Sequence, residues 1–154
     1  MKSILLVSNA VLLLAAGKPA IPTNVMNAFS SKYPNTVVKK WTRIGNSYYS
    51  ATFMDNRKKE VAFFSTKGDW MKTETKIESP KELPPAVEKS LKDRGFLADR
   101  IISIKDRETP QTNMYVIDIN DANRWDADHV EIFAQSYRLY FDKNGELVNK
   151  KLLD

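Results

Sequence analysis

The sequence contains no cysteine and only one histidine, and both absences restrict its chemistry. A chain without cysteine has no disulfide bonds, so burial of apolar side chains must hold the fold together. A cysteine nucleophile is excluded, and zinc binding is disfavoured because histidine and cysteine are the usual zinc ligands. No G-x-S-x-G motif is present to mark an activated serine. The sequence therefore argues against a conventional hydrolase.

An excess of one charge is also missing, because 24 basic residues face 19 acidic ones and the formal net charge is only +5. The basic residues occur in short separated groups, such as Arg57-Lys58-Lys59. Groups of this kind are typical of solvated faces and of edge strands that avoid aggregation. Nucleic-acid binding is therefore not predicted.

Long apolar runs are absent after the first residues of the chain. Met1-Lys2-Ser3 precedes an apolar run over residues 4–16, which is too short to span a bilayer. Ala15-Ala16-Gly17 then places small residues where an export cleavage site needs them. We predict that residues 1–17 are a secretory signal and that the mature chain is periplasmic or secreted, without a membrane span. A buried N-terminal helix or strand is the alternative reading of this run.

Two parts of the sequence repeat each other in order. Ile21-Pro22-x-x-Val25-x-x-x-Phe29 returns as Leu83-Pro84-x-x-Val87-x-x-x-Leu91, and Phe64-x-x-x-Gly68 returns as Phe141-x-x-x-Gly145. Helical spacing in the first motif and period-two alternation after it predict one helix followed by four strands in each unit. Short turns between the strands make the sheet antiparallel. The predicted fold class is α+β, with a first unit over residues 18–79 and a second over 80–154.

Alternation along the strands predicts two different faces of the sheet. Tyr49, Ala51 and Phe53 form one apolar register, and the second unit provides Tyr115, Ile117, Ile119, Leu139 and Phe141. These residues are expected to lie under the helices in one continuous core. Tyr48, Phe63 and Tyr140 have the opposite parity and are expected on an open face.

Several motifs together resemble a known family. The chain has I-P-x-x-V-x-x-x-F-x-x-x-Y-P-N near its mature start, Trp41, a Y-x-A-x-F strand, F-x-x-x-G-x-W and an L-P-x-x-V restart. This combination resembles the PepSY-like, or beta-lactamase-inhibitor-like, exported proteins of Bacteroides-type bacteria. The resemblance implies two tandem units with the helices on one side of a broad curved sheet, as in beta-lactamase inhibitory protein. It also implies a protein without enzymatic activity or cofactor.

The second unit departs from the first by an extra loop between Ile119 and Tyr137. Trp125 lies in that loop among aspartates, and such an aromatic is typical of a binding contact. Asp126, Asp128 and His129 are the nearest approach to a catalytic or metal-binding group. A calcium loop starting at Asp121 would need glycine at its sixth position, where Asp126 stands, so no metal site is predicted.

The remaining tryptophans differ in their expected roles. Trp70 is expected in the core, whereas Trp41 fits either against the helix or on the open face. The candidate binding residues are therefore Trp41, Tyr48, Phe63, Trp125 and Tyr140. They predict an exported, non-enzymatic module that binds a protein or peptide and could inhibit an enzyme. The alternatives are an envelope protein that holds a small apolar or glycan ligand between the units, and a hydrolase using Asp126, Asp128 and His129.

Overall fold

The computed structural model describes residues 20–96, 98–121 and 135–153. In these residues two α-helices and eight β-strands form two similar halves, each with one helix followed by four strands. The first half contains α1 (Thr23–Lys32), β1 (Lys40–Ile44), β2 (Tyr48–Asp55), β3 (Lys58–Ser65) and β4 (Trp70–Ile77). The second half contains α2 (Pro85–Asp93), β5 (Ile101–Glu108), β6 (Asn113–Asp121), β7 (Gln135–Phe141) and β8 (Leu147–Leu153). Short 3-10 helices cover Pro80–Glu82 and Ala98–Arg100.

All eight strands belong to one antiparallel sheet, in which the spatial order follows the order along the chain. Both helices pack on the same side of this sheet, which we call the helix side. The predicted α+β fold, with helices on one side of a broad antiparallel sheet, is confirmed. Neither helix in the described part of the chain is long and apolar enough to cross a membrane.

The apolar core beneath the helices consists of two separate clusters. Val25 and Phe29 of α1 pack on Phe53 and Phe64, and Phe29 contacts both rings edge-on. The second cluster joins residues of α2 to the strands of the second half and to the last residue of β4; it includes Val87, Leu91, Ile77, Ile104, Ile117, Ile119, Leu139 and Phe141. The expectation of one continuous core is wrong. Apart from Ile77 of β4, which packs in the cluster of α2, each helix covers its own half, so the strip of sheet between the helices carries polar side chains.

The repeated F-x-x-x-G motif forms the same turn in both halves. Ser65 Oγ accepts hydrogen bonds from the backbone of Lys67 and Asp69, and Asp142 Oδ1 accepts from that of Asn144 and Glu146. The glycine in each turn has a positive φ and lies against the first turn of the helix in its half. A Cβ at Gly68 would come within 3.0 Å of the Asn24 carbonyl oxygen, and one at Gly145 within 2.4 Å of that of Ala86.

Charged side chains form part of two strands. β3 and β5 each have eight residues, and Lys58 to Glu60 and Lys105 to Glu108 continue their ladders with charged side chains. The predicted unit boundary after residue 79 falls between β4 and α2 and stays a prediction. There Ser79 and Glu82 form a capping box around the first 3-10 helix.

Candidate binding face

The side of the sheet opposite the helices, here called the open face, is not covered by any described element of the chain. Strand registers place Tyr48, Phe63 and Tyr140 on it, because each pairs with residues of the parity that points away from the helices. Tyr48 is 43% exposed, whereas Phe63 and Tyr140 are partly buried by their neighbours. The predicted open face with several aromatic side chains is therefore present.

A buried carboxylate lies at the centre of this face. Glu74 on β4 is only 8% exposed, although no helix covers it. Lys72 Nζ donates to Glu74 Oε1 at 2.6 Å, and Lys105 Nζ donates to Oε2 at 3.3 Å. Arg107 donates to Oε1 through Nε at 3.0 Å and through Nη2 at 2.7 Å. The Glu74 cluster, defined as Glu74 with these three cations, joins β4 of the first half to β5 of the second.

The three cations of the Glu74 cluster determine the charge state of its carboxylate. Burial alone would raise the pKa of Glu74, but the hydrogen bond from Lys72 and the attraction of Lys72, Lys105 and Arg107 lower it to about 2. Glu74 is therefore ionised at neutral pH. Because one carboxylate faces three cations, the cluster keeps a net positive charge.

Two aromatic rings flank the Glu74 cluster and pack against its cations. Lys72 Nζ lies 4.3 Å from the centre of the Phe63 ring, and the Arg107 guanidinium carbon lies 5.6 Å from the centre of the Tyr140 ring. Both distances are within the range of cation–π attraction. These contacts order the aromatic and cationic side chains into one row that extends from β3 to β7.

A second carboxylate on the open face is paired more simply. Asp118 accepts from Arg138 Nε at 2.7 Å and Nη2 at 2.9 Å, and from the Ser103 hydroxyl at 3.0 Å. Burial would raise the pKa of Asp118, but the hydrogen bonds and the attraction of Arg138 lower it. This bidentate pair neutralises Arg138, so the surplus positive charge of the face is concentrated elsewhere.

The open face is strongly cationic relative to the whole chain. Among the described strand residues, the strand register places two acidic residues on it, Glu74 and Asp118. Its eight basic residues are Lys40, Lys59, Lys72, Lys76, Lys105, Arg107, Arg138 and Lys151. This excess is larger than that of the entire sequence, whose formal net charge is +5. The rest of the chain is therefore close to neutral, and the positive potential is directed to one side.

A pocket of about 410 Å³ opens on this face beside the Glu74 cluster. Its apolar lining comes from Ile44, Tyr48, Phe63 and Met71, and Lys72 and Arg107 line it as well. Ile44 and Met71 are 40% and 42% exposed, which is high for large apolar side chains. We call this depression the open-face pocket.

The helix side has the opposite electrostatic character in the strip between the two helices. Glu60, Asp106 and Glu108 lie there on β3 and β5. Burial raises the pKa values of Glu60 and Asp106, and repulsion from nearby carboxylates, first Asp55 for Glu60 and Glu108 for Asp106, raises them further. Lys32 of α1 forms a salt bridge with Glu108 at 3.3 Å and partly compensates the negative charge of the strip.

The structure separates the five predicted binding residues into three groups. Tyr48, Phe63 and Tyr140 share the open face. Trp41 instead packs on the helix side, where its ring meets Phe29 edge-on at 5.7 Å, so it does not belong to that face. Trp125 lies outside the described residues, as do Asp126, Asp128 and His129.

Trp70 packs against the first cluster, as expected. Its indole donates to the Thr73 hydroxyl at 3.0 Å, and Lys32 Nζ lies 3.5 Å from the ring centre. In the described ranges no group of three or more His, Cys, Asp or Glu side chains is arranged to hold a metal ion.

Sequence reasoning missed Glu74, Lys72, Lys105 and Arg107. The signal available was the alternation Lys72-Thr73-Glu74-Thr75-Lys76, which places three charges on one face of a strand next to Phe63. Alternating charges on a strand are usual on a solvated face, so the pattern alone does not reveal a buried carboxylate.

The sheet backed by two helices on one side, with an uncovered aromatic and cationic face on the other, defines a one-sided α+β scaffold. The sequence matches the family described as "Putative beta-lactamase-inhibitor-like, PepSY-like" over residues 16–48 and 47–149. The chain belongs to this family, as its motifs indicated.

Solved structures share the fold at low identity. A DUF2874 family protein from Bacteroides ovatus is 23% identical, with a TM-score of 0.71 over 88% of this chain and 89% of that one. A BLIP-like protein from Bacteroides fragilis is 22% identical, with a TM-score of 0.71 over 89% of each chain. A protein from Bacteroides eggerthii described as one of the "putative periplasmic proteins" is 20% identical, with a TM-score of 0.67 over 86% and 89%. No curated protein matches the chain.

Proposed function

We propose that this protein is an exported, non-enzymatic module that binds a protein or peptide on its open face. One observation carries the proposal: Tyr48, Phe63 and Tyr140 share, with the Glu74 cluster, a face that no described element covers. Partly exposed aromatic and arginine side chains are the residue types that dominate binding energy at protein interfaces. The similarity to a BLIP-like protein supports the same scaffold for binding, without identifying a partner.

Photo-crosslinking in the native host tests this function directly. A photoreactive amino acid in place of Tyr48 or Tyr140 should give a specific crosslinked product in the envelope fraction. The matched control replaces Lys89, which is on α2 at the other side of the molecule and is 75% exposed. If Lys89 crosslinks to the same partner and the two tyrosine positions do not, the open face is not the binding surface.

If the crosslinked partner is an enzyme, its activity measured with and without the purified module shows whether binding is inhibitory. A lowered activity that Tyr48→Ala restores would place inhibition on the open face.

Export is supported by the predicted signal over residues 1–17 and by the description of the Bacteroides eggerthii neighbour as periplasmic. We expect the intact mass of the protein recovered from the envelope or medium to correspond to a chain starting near Lys18. Recovery of the full 154-residue chain from those fractions would contradict the predicted cleavage.

Trp125 is a second proposed contact, in the segment between Ile119 and Tyr137 that the sequence predicts to be an extra loop of the second unit. We expect Trp125→Ala to leave the thermal midpoint of unfolding nearly unchanged and to weaken partner binding by ~2 kcal/mol. Unfolding of the variant would instead assign Trp125 to the core. Unchanged affinity in a folded variant would remove it from the interface.

A further inference from the structure

We propose that the open-face pocket binds an acidic segment of a partner protein through one bulky apolar side chain flanked by carboxylates. This inference rests on the proposed function and specifies the chemistry of the partner. An apolar pocket lined by side chains of β1 to β4 lies beside a cluster of cations on β4 and β5 that has surplus positive charge.

Two cations that neighbour Glu74 also belong to the open-face pocket. Lys72 and Arg107 contact Glu74 and also line the open-face pocket, so the buried carboxylate holds both cations at its edge. Cations already fixed by an ion pair lose little conformational freedom when a ligand binds. The Glu74 cluster retains positive charge, so a second carboxylate beside the pocket would find ordered and incompletely neutralised donors.

The apolar side chains that line the open-face pocket are unusually exposed. Ile44, Tyr48 and Met71 are each at least 40% exposed and line the same pocket. A pocket of about 410 Å³ has room for one large side chain such as phenylalanine or leucine. Burying such a side chain contributes roughly 1.5–3 kcal/mol, which makes it an anchor for a segment otherwise held by charge.

The mixture of apolar and cationic surface favours a protein segment over a simple polyanion. A polyanionic glycan or nucleic acid backbone could use the cations but would gain nothing from Ile44 or Met71. The basic residues of the open face are instead interleaved with aromatic and aliphatic ones, with Phe63 under Lys72 and Tyr140 beside Arg107. An acidic segment with an apolar anchor complements both features.

Selection from a random peptide library displayed on phage tests the inference with a defined probe. The mature protein is the bait, and Met71→Glu is the counter-selection bait. This exposed position on the pocket rim accepts the new charge without entering the core. We expect the enriched peptides to combine net negative charge with at least one large apolar residue.

An enriched peptide is then measured by fluorescence anisotropy against matched variants. We expect Tyr48→Ala and Lys72→Gln each to weaken binding about tenfold, and Lys89→Gln, the same charge change on α2, to have no effect. Binding should weaken as ionic strength rises from ~0.1 M to ~1 M, where screening shortens the Debye length from about 10 to about 3 Å. Unchanged midpoints of thermal unfolding would show that the variants fold.

Three outcomes of these binding experiments overturn the inference. The first is enrichment of neutral or basic peptides, and the second is equal binding of the peptides to Met71→Glu. The third is binding of heparin or anionic lipid vesicles that is as strong as peptide binding and is not changed by Tyr48→Ala. A host partner that crosslinks at Tyr48 through a segment without acidic residues would also overturn it, while leaving the proposed function intact. Failure of the crosslinking at both tyrosine positions would instead overturn the proposed function.

Discussion

Glu74 shows how a single buried carboxylate can organise an exposed surface. It lies on the side of the sheet that no described element covers, yet the stems of Lys72, Lys105 and Arg107 fold over it. Long cationic side chains often cover surface in this way while their charged ends remain near water. The aromatic rings of Phe63 and Tyr140 are in turn positioned by two of these cations.

Replacing Glu74 by glutamine should destabilise the fold by ~2 kcal/mol at neutral pH, because it leaves three cations in proximity without their counter-ion. The cations are partly exposed, so the loss is smaller than for a fully buried pair. The free energy of unfolding from denaturant titration measures it. The exposed pair of Lys76 and Glu78 provides the control, since Glu78→Gln should change stability by less than ~0.5 kcal/mol.

The stabilisation by Glu74 should depend on pH in a defined direction. Its pKa is about 2 in the folded protein and near 4.5 in the unfolded chain. A lowered pKa stabilises the fold above the unfolded value and loses this effect as pH falls. The difference in unfolding free energy between wild type and Glu74→Gln should therefore shrink from about pH 4.5 towards pH 2. A difference that stays constant across this window would contradict the ion-pair explanation.

Asp106 should behave in the opposite sense. Burial and the nearby Glu108 raise its pKa, so ionisation at neutral pH costs stability. Asp106→Asn should stabilise the protein at pH 7 by ~0.5 kcal/mol, and the gain should vanish in acid, where the wild-type carboxyl is protonated. A destabilised Asp106→Asn at pH 7 would show that Lys58 compensates this charge more than its neighbours oppose it.

Among the local structures, the glycine turn that lies against the helix in each half depends most strongly on a single residue type. Gly145 at φ 82° leaves no space for a Cβ beside Ala86, whereas Gly45 at φ 56° has open space around it. Both positions strain a residue with a side chain, but only the first also forces the helix away. Comparing substitutions at the two glycines therefore separates the effect of backbone strain from that of steric contact.

Alanine at Gly145 should cost ~3 kcal/mol of stability, and alanine at Gly45 only ~1 kcal/mol. Thermal or denaturant unfolding of the two variants measures the difference. Equal losses would mean that α2 moves freely when the turn is changed.

The elements themselves follow well from local sequence patterns. Alternation predicts that Ala51, Phe53 and Ile117 face the helices, and all three are fully buried. The repeated motifs predict the helix and turn in each half because those contacts are local. The partners of Glu74 do not follow, since Lys105 and Arg107 lie 31 and 33 residues further along the chain. The side of the sheet on which Trp41 lies does not follow from local patterns either, because it depends on the pairing register of an edge strand.

Taken as a whole, the molecule has two cores connected by one sheet. The gap between the cores has a physical cause, because two short helices cannot cover eight strands. Water therefore reaches the strip between them, and charged residues such as Glu60 and Asp106 are tolerated there. The sequence predicts two helices that each have one apolar face, but it does not predict the distance between them.

Substitutions in the two cores should act independently. Phe29→Ala and Phe141→Ala should each cost ~3–5 kcal/mol, and Tyr48→Ala on the open face much less. Because the two phenylalanines belong to separate clusters, the losses in a double variant should add within ~0.5 kcal/mol. Equal losses at all three single sites would contradict the assignment of faces.

The pairing of β4 with β5 also has a consequence for assembly. Every strand pairs with its neighbours along the chain, so each half closes its own short hairpins, and only this one pairing joins the halves. Cleavage of the connecting segment near residue 79 would leave two fragments, each with a helix, four strands and an apolar cluster. We expect these fragments to reassociate when they are expressed together, through the β4–β5 hydrogen bonds and the ion pairs of Glu74. The same junction would allow two intact chains to exchange halves, which makes it the place where a domain-swapped dimer would form at high concentration.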